Sequence, residues 1–138
     1  MTTPPRTDLS WLLEELVSGL PDAESAVLLS TDGLLMGRSA GLDQTEAERF
    51  AAMASAFHSL ARSAGSHFKA GGVCQTVVEL DRAVLFITAA GANACLALLA
   101  TESANMGMVA FEMNRTVQRV GSHLAVDSRP QTNGAPQP

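Results

Sequence analysis

A chain of 138 residues is sized for one domain, and at that length folding buries roughly two-thirds of the surface of the unfolded chain, enough for one core without cross-links. Hydrophobic residues make up 46% and charged residues 17%, which excludes the disordered class and leaves little polar material to cover the outside. Net charge is −5, the basic residues Arg38, Arg49, Arg62, Lys69, Arg82, Arg115 and Arg119 form no run, tyrosine is absent and Trp11 is the single tryptophan, so neither the electrostatic footprint nor the stacking platform of a nucleic-acid binder is present.

Residues 1–7 are polar with two prolines and read as a flexible lead, not a signal peptide. Asp8 is placed to cap a helix whose apolar positions 9, 12, 13, 16 and 20 recur at helical spacing. Gly19 and Pro21 end it. Ala26-Val27-Leu28-Leu29-Ser30 and Leu34-Leu35-Met36 flank Thr31-Asp32-Gly33. Asp-Gly between apolar runs predicts a tight hairpin, because glycine accepts positive φ without a steric cost. Asp43, with Glu46 three residues on, forms a capping-box pattern for a long helix reaching about Gly65.

On that helix Phe50, Met53, Phe57, Leu60 and Ala64 form the bulky stripe and are expected on the sheet. The opposite side carries Ala52, Ala56, Ser59 and Ser63, with Glu48 and Ser55 beside them and Arg49 and Arg62 at the margins. Small residues there permit a second helix to approach, while an Ala/Ser-rich solvated back set by genome composition is the plainer alternative.

Gly71-Gly72 turns the chain into a three-strand meander: residues 73–80, a turn at Leu80-Asp81-Arg82, residues 83–89, a turn at Gly91-Ala92-Asn93, and residues 94–100. Residues 83–100 carry no formal charge, but the Gly-Ala-Asn break and the β-branched Val84, Ile87 and Thr88 fit two strands better than one membrane helix. Ser103 or Asn105 caps a last helix with its stripe at Met106, Val109, Met113, Val117, Val120 and Leu124. From 126 to 138 Pro, Gln, Asn and Gly dominate and the tail is expected to be disordered. The order helix, two strands, helix, three strands, helix predicts an α+β fold: a five-stranded antiparallel sheet with the first and last helices on one face and the middle helix on the other.

Chemistry is hard to assemble. Gly71-Gly72 precedes a strand rather than a helix, so no phosphate-binding loop is read. His58, His67 and His123 lack metal-ligand spacing. No elbow-like strand–Ser–helix segment appears, and Glu79 and Asp81 read as solvated turn residues. Cys74 and Cys95 sit in apolar runs and read as buried reduced thiols, a bridge being the alternative. Met106, Met108 and Met113 read as core filling or as an adaptable binding surface. The expectation is no catalytic residue, no cofactor, no metal, no nucleic-acid partner and no membrane insertion.

Trp11-Leu12-Leu13, Ala26-Val27-Leu28-Leu29-Ser30-Thr31-Asp32-Gly33-Leu34-Leu35, Glu46-Ala47-Glu48-Arg49-Phe50-Ala51-Ala52, Thr76-Val77-Val78-Glu79, Cys95-Leu96-Ala97, Gly107-Met108-Val109-Ala110-Phe111-Glu112-Met113 and Val120-Gly121-Ser122-His123-Leu124 together resemble the Roadblock (dynein light-chain) family, and more narrowly the Roadblock proteins of actinobacterial conservon operons. The resemblance spans residues 8–125, taken as one domain of Roadblock/profilin-like fold. It implies a cytoplasmic homodimer in which middle helices pair and third strands extend one sheet. The interface is then expected at Ala52, Ala56, Ser59, Ser63, Val73, Gln75 and Val77. It also implies a scaffold or regulator of a small Ras-like GTPase, with a sensor-kinase-like membrane protein encoded alongside. Glu48, Arg49, Ser55 and Arg62 are expected at the GTPase-facing rim. A small-ligand sensing domain and a purely structural dimerisation scaffold are the competing readings.

Overall fold

The structure, a computed structural model, describes residues 9–132, with side chains through 123. Its elements are α1 (Ser10–Gly19), β1 (Ala23–Ser30), β2 (Leu35–Arg38), α2 (Gln44–His67), β3 (Thr76–Glu79), β4 (Ala83–Ala89), β5 (Ala94–Thr101) and α3 (Met106–Thr132). The strands form one antiparallel sheet in the order β2-β1-β5-β4-β3. The expected α-β-β-α-β-β-β-α order and sheet are therefore present, and residues 83–100 are two strands paired with each other, Leu85 opposite Leu99 and Ile87 opposite Ala97.

Turn chemistry fixes the hairpins. Gly33 has φ +95°, its N–H donates to the Ser30 carbonyl at 2.9 Å, and the Ser30 hydroxyl bonds Asp32. Gly91 takes φ +85° in the β4–β5 turn, and Ala90 N–H donates to Ala94 O at 2.8 Å. The Asp43 carboxylate accepts from Glu46 N–H at 2.8 Å and Asn105 Oδ1 from Met108 N–H at 2.9 Å. Each satisfies one of the donors that a helix start leaves without a partner. Of the two caps read for the last helix, Asn105 is the one used.

Alternation along the central strands divides the core in two. Ala26, Leu28, Val84, Phe86, Leu96 and Leu98 face α1 and α3, meeting Leu9, Leu12, Leu13, Leu16, Leu20, Val109, Met113 and Val120. Val27, Leu29, Leu85, Ile87, Cys95 and Ala97 face α2. The expected placement of the helices on the two faces holds.

Several boundaries move. β3 is only Thr76–Glu79, not 73–80, because β4 supplies partners for that stretch alone, Thr76 opposite Ile87 and Glu79 opposite Val84. α2 runs to His67, past Gly65. α3 continues to Thr132, beyond the expected domain end at 125, and no glycine or proline stands between Gly121 and Pro130 to stop it. The stripe on α3 holds at Val109, Met113, Val117 and Val120, but Met106 is exposed. Leu124 lies outside the described side chains. Asp8 and the expectations for residues 1–7 and 133–138 lie outside the described residues.

Candidate interaction surface

The middle helix crosses the sheet with alanines inward. Ala47, Phe50, Ala51, Ala54 and His58 are its buried residues, and three of the five are methyl-sized, so the helix axis lies close to the strands. This corrects the expected phase. Phe50 is on the sheet and Phe57 packs partly against it, but Met53 is 56% and Leu60 68% exposed, and Ala64 is exposed too. The bulky stripe is rotated off the core because the alanine face fits the sheet more closely.

The outward face of α2 is consequently mixed. Ala52, Ala56, Ser59 and Ser63 are all exposed there, as expected, and Met53 and Leu60 flank them. Ala56 lies about 180° round the helix from the buried Ala54–His58 midline at 100° per residue. Beyond the helix, Phe68 is 72% exposed. The sheet edge next to it is β3, where Val77 is 39% exposed and sits opposite Phe86. Val73 and Gln75 precede the strand and are half-buried, Gln75 Nε2 lying 3.4 Å from Thr88 Oγ1. Of the three expected strand residues, Val77 alone is on the edge ladder.

The four residues expected at a rim are not one cluster. Glu48, Ser55 and Arg62 share a flank at seven-residue spacing, and Arg49 stands about 100° round from Glu48. Ser55 is half-buried, and its hydroxyl donates to the Thr31 carbonyl at 3.0 Å, so it pins the β1–β2 hairpin to α2. Glu48 accepts from Gln44 Nε2 at 2.9 Å. Arg49 lies 3.8 Å from Glu46, both side chains well exposed. Such a pair contributes ~0.5 kcal/mol or less.

Below the helix, His58 is buried and its Nδ1 has no hydrogen-bond partner among the described residues. Its pKa is held below 6.5, first by loss of solvation and then by the Arg62 charge. Burial pushes the Cys95 thiol up to about 11, with Arg62 pulling the other way. Cys95 is an inert core thiol, whereas Cys74 is exposed, against the expectation that both are buried. It lies in the segment before β3 that the strand does not reach. Among the described residues no three His, Cys, Asp or Glu side chains are grouped to hold a metal, and no helix is long and apolar enough to cross a membrane. The site therefore offers contact area with few charges on it, the chemistry of a packing surface.

The Roadblock/LC7 domain family model matches residues 9–100. The crystal structure of a Roadblock/LC7 domain from Streptomyces avermitilis is 46% identical, covers 85% of this chain and 98% of its own, and superposes with a TM-score of 0.82. A second Streptomyces Roadblock/LC7 domain is 36% identical over 80% of this chain and 96% of its own, with a TM-score of 0.67. Myxococcus xanthus MglB, at 12% identity over 85% of this chain and 94% of its own, shares the fold with a TM-score of 0.76. No curated protein sequence matches the chain.

Proposed function

This chain belongs to the Roadblock/LC7 domain family, and we propose on that premise that it is a cytoplasmic, non-catalytic homodimer that binds a small Ras-like GTPase and either regulates it or holds it in place. The observation that carries the reading is the outward face of α2: Met53 and Leu60 exposed at 56% and 68% beside a strip of Ala52, Ala56, Ser59 and Ser63. Small residues let a second backbone approach, and the two large apolar side chains supply area to bury, worth about 25 cal/mol per Å2 removed from water.

Charge along α2 supports a second copy as the occupant. Asp43, Glu46 and Glu48 stand at its start, and Arg62, His67 and Lys69 at and just beyond its end. Antiparallel pairing of two copies brings each acidic end to the other's basic end, whereas parallel pairing sets like against like. The β3 edge runs alongside. An unpaired edge with an exposed Val77 is an aggregation hazard that pairing with its own copy removes.

The GTPase as partner follows from the family resemblance. Two outward helices side by side present one composite surface, with Arg49, Glu48 and Arg62 along its margins. Such a surface alters nucleotide turnover only if it prefers one conformation of the switch segments over another. The resemblance to conservon-encoded proteins makes a sensor-kinase-like membrane protein the next partner to test.

Sedimentation at tens of micromolar checks the dimer, and a monomer there ends that part of the reading. Calorimetric titration of the Ras-like GTPase encoded nearest to it, loaded in turn with GDP and a non-hydrolysable GTP analogue, checks the rest. A ten-fold or larger difference between the two states supports regulation. Equal affinity reduces the function to a scaffold, and no binding by an intact dimer removes the GTPase altogether.

A further inference from the structure

Where α2 ends, the chain folds back on itself. Phe68 N–H donates to the Ala64 carbonyl, Lys69 N–H to Ser66 and Ala70 N–H to Gly65, at 3.0, 3.2 and 2.8 Å. The loop then presses on the helix: a Cβ at Gly65 would stand 2.2 Å from the Gly71 carbonyl oxygen, so only glycine permits this contact. Lys69 has φ +56°, the one positive value at a non-glycine position among the described residues. Glycine is the residue favoured at this post-helical position, yet the chain spends its single lysine there.

The fold-back encloses an open cleft of about 510 Å3 lined by Arg62, Gly65, Ser66, Lys69, Gly71 and Gly72. No carboxylate is among them. Among the described side chains the other helix arginines are matched: Arg49 with Glu46, Arg115 with Glu112 and Arg119 with Glu15. Among the described residues the side chains of Arg62 and Lys69 enter no ion pair or hydrogen bond, and the N–H groups of Gly71 and Gly72 have no acceptor. In a chain of net charge −5, two cations with no counter-charge from their own copy converge on one cleft and repel each other. At the negative end of the helix the Ala64, Gly65 and Ser66 carbonyls already accept the three N–H groups of the fold-back, which leaves fewer open carbonyls to oppose an anion.

We propose that this cleft is an oxyanion site that takes a phosphoryl dianion, free or as the monoester of a small molecule. Two positive charges match the dianion. The guanidinium and ammonium donors, the Ser66 hydroxyl and the free glycine N–H groups can share several oxygens, which a single carboxylate would not fill. Arg62 stands about 120° round α2 from Ala56, so the cleft lies on the flank of the pairing face proposed above and shares Arg62 and Lys69 with the basic end of that pairing. The phosphate titration reads the cleft with no GTPase present, so its outcome and that of the GTPase titration are distinguishable.

The test is a titration of the full-length 15N-labelled protein with inorganic phosphate, and separately with glycerol phosphate, at constant ionic strength. Saturable shifts of the Ser66, Gly71 and Gly72 amides are expected, with the dissociation constant raised at least ten-fold by Arg62→Gln and by Lys69→Gly. Lys69→Gly relieves the positive φ, so loss of fold cannot explain a loss of binding. Saturation by both probes supports a site that reads the phosphoryl group whatever it is attached to, and saturation by inorganic phosphate alone supports a site for the free ion. Shifts that never saturate, or that persist unchanged in both variants, overturn the proposal.

Discussion

The two faces of the sheet are covered in different ways. On one, α1 and α3 lie side by side and complete each other. Their core includes Phe86, Leu28, Leu12, Leu13 and Met113, all essentially inaccessible. Their outer seam is tied by Arg119 to Glu15 at 2.7 Å, with the same guanidinium 5.4 Å from the Trp11 ring centre and His123 edge-on to that ring at 5.6 Å. On the other face a single helix, α2, spans the strands. It meets them through alanines and leaves Met53 and Leu60 outside. A two-helix layer can close its own core, whereas a lone helix has a back as well as a front, and here the back mixes small residues with the exposed Met53 and Leu60. The lesson is that one side of the sheet is covered by two helices that close a core between them, and the other by a single helix that fits the strands closely and leaves Met53 and Leu60 outside.

The largest effect is expected on the two-helix side. Phe86→Ala empties a fully buried site, and in a layer closed by two helices little can collapse into the gap. The expected cost is about 3–5 kcal/mol of folding stability in chemical denaturation. A cost near 1 kcal/mol would mean that this layer is looser than its packing indicates.

On the α2 side the corresponding change acts on association instead. Ala56→Glu puts a charge in the middle of the exposed strip. Folding should be nearly unaffected, because the site is solvated in one copy. The dimer should weaken by on the order of a few kcal/mol as the charge is buried unpaired, read as a shift to monomer in sedimentation. An unaltered dimer would place the second copy somewhere other than on this face.

Ser55→Ala probes how α2 holds the hairpin. It removes the hydroxyl that donates to the Thr31 carbonyl and should cost about 1 kcal/mol. Line broadening confined to the amides around Asp32 and Gly33 is the accompanying sign, and their staying sharp would show that the turn holds itself.

The smallest effect concerns pH. The folded-state pKa of His58 lies below 6.5, chiefly through burial and further through Arg62. The unfolded chain therefore binds the proton first as pH falls. The stability tied to neutral His58 is fully present above about pH 6.5 and declines as pH drops toward the folded-state pKa. His58→Gln should flatten the fall in stability between pH 7 and pH 5, by less than one proton's worth of slope. An identical profile in the variant would mean that the imidazole is as free to charge in the fold as out of it.

Where a side of the molecule was legible in the sequence depended on how its information is stored. The seam between α1 and α3 was half legible. Positions 9, 12, 13 and 16 announce a buried stripe at helical spacing, and all four are buried. The ion pair between Arg119 and Glu15 joins residues far apart in the chain, and no local pattern marks it. The small strip on α2 was legible as a strip, because Ala52, Ala56, Ser59 and Ser63 recur at three- and four-residue spacing. Its bulky neighbours were not. Met53 and Leu60 read as core because large apolar side chains gain most from burial, but five alanine and phenylalanine contacts set the helix lower on the sheet than those side chains allow. The oxyanion cleft gave no signal beyond Gly71-Gly72, since what makes it is a carbonyl resting on Gly65 and a lysine in a left-handed conformation.

By itself, then, the sequence determined the order of the elements, the tight turn at Asp32-Gly33, the capping of α2 by Asp43 and the division of the helices between the two faces. All of these rest on periodicity and turn chemistry, which act over a few residues and survive any packing. Tertiary structure decided the rest. The rotation of α2, the shortening of β3 to the length of its ladder with β4, the commitment of Ser55 to the hairpin and the exposure of Cys74 depend on contacts between distant segments. An alanine-rich helix with small and apolar residues on both sides has no strong intrinsic preference for either, so the closer fit to the strands chose the face that went in and left Met53 and Leu60 outside.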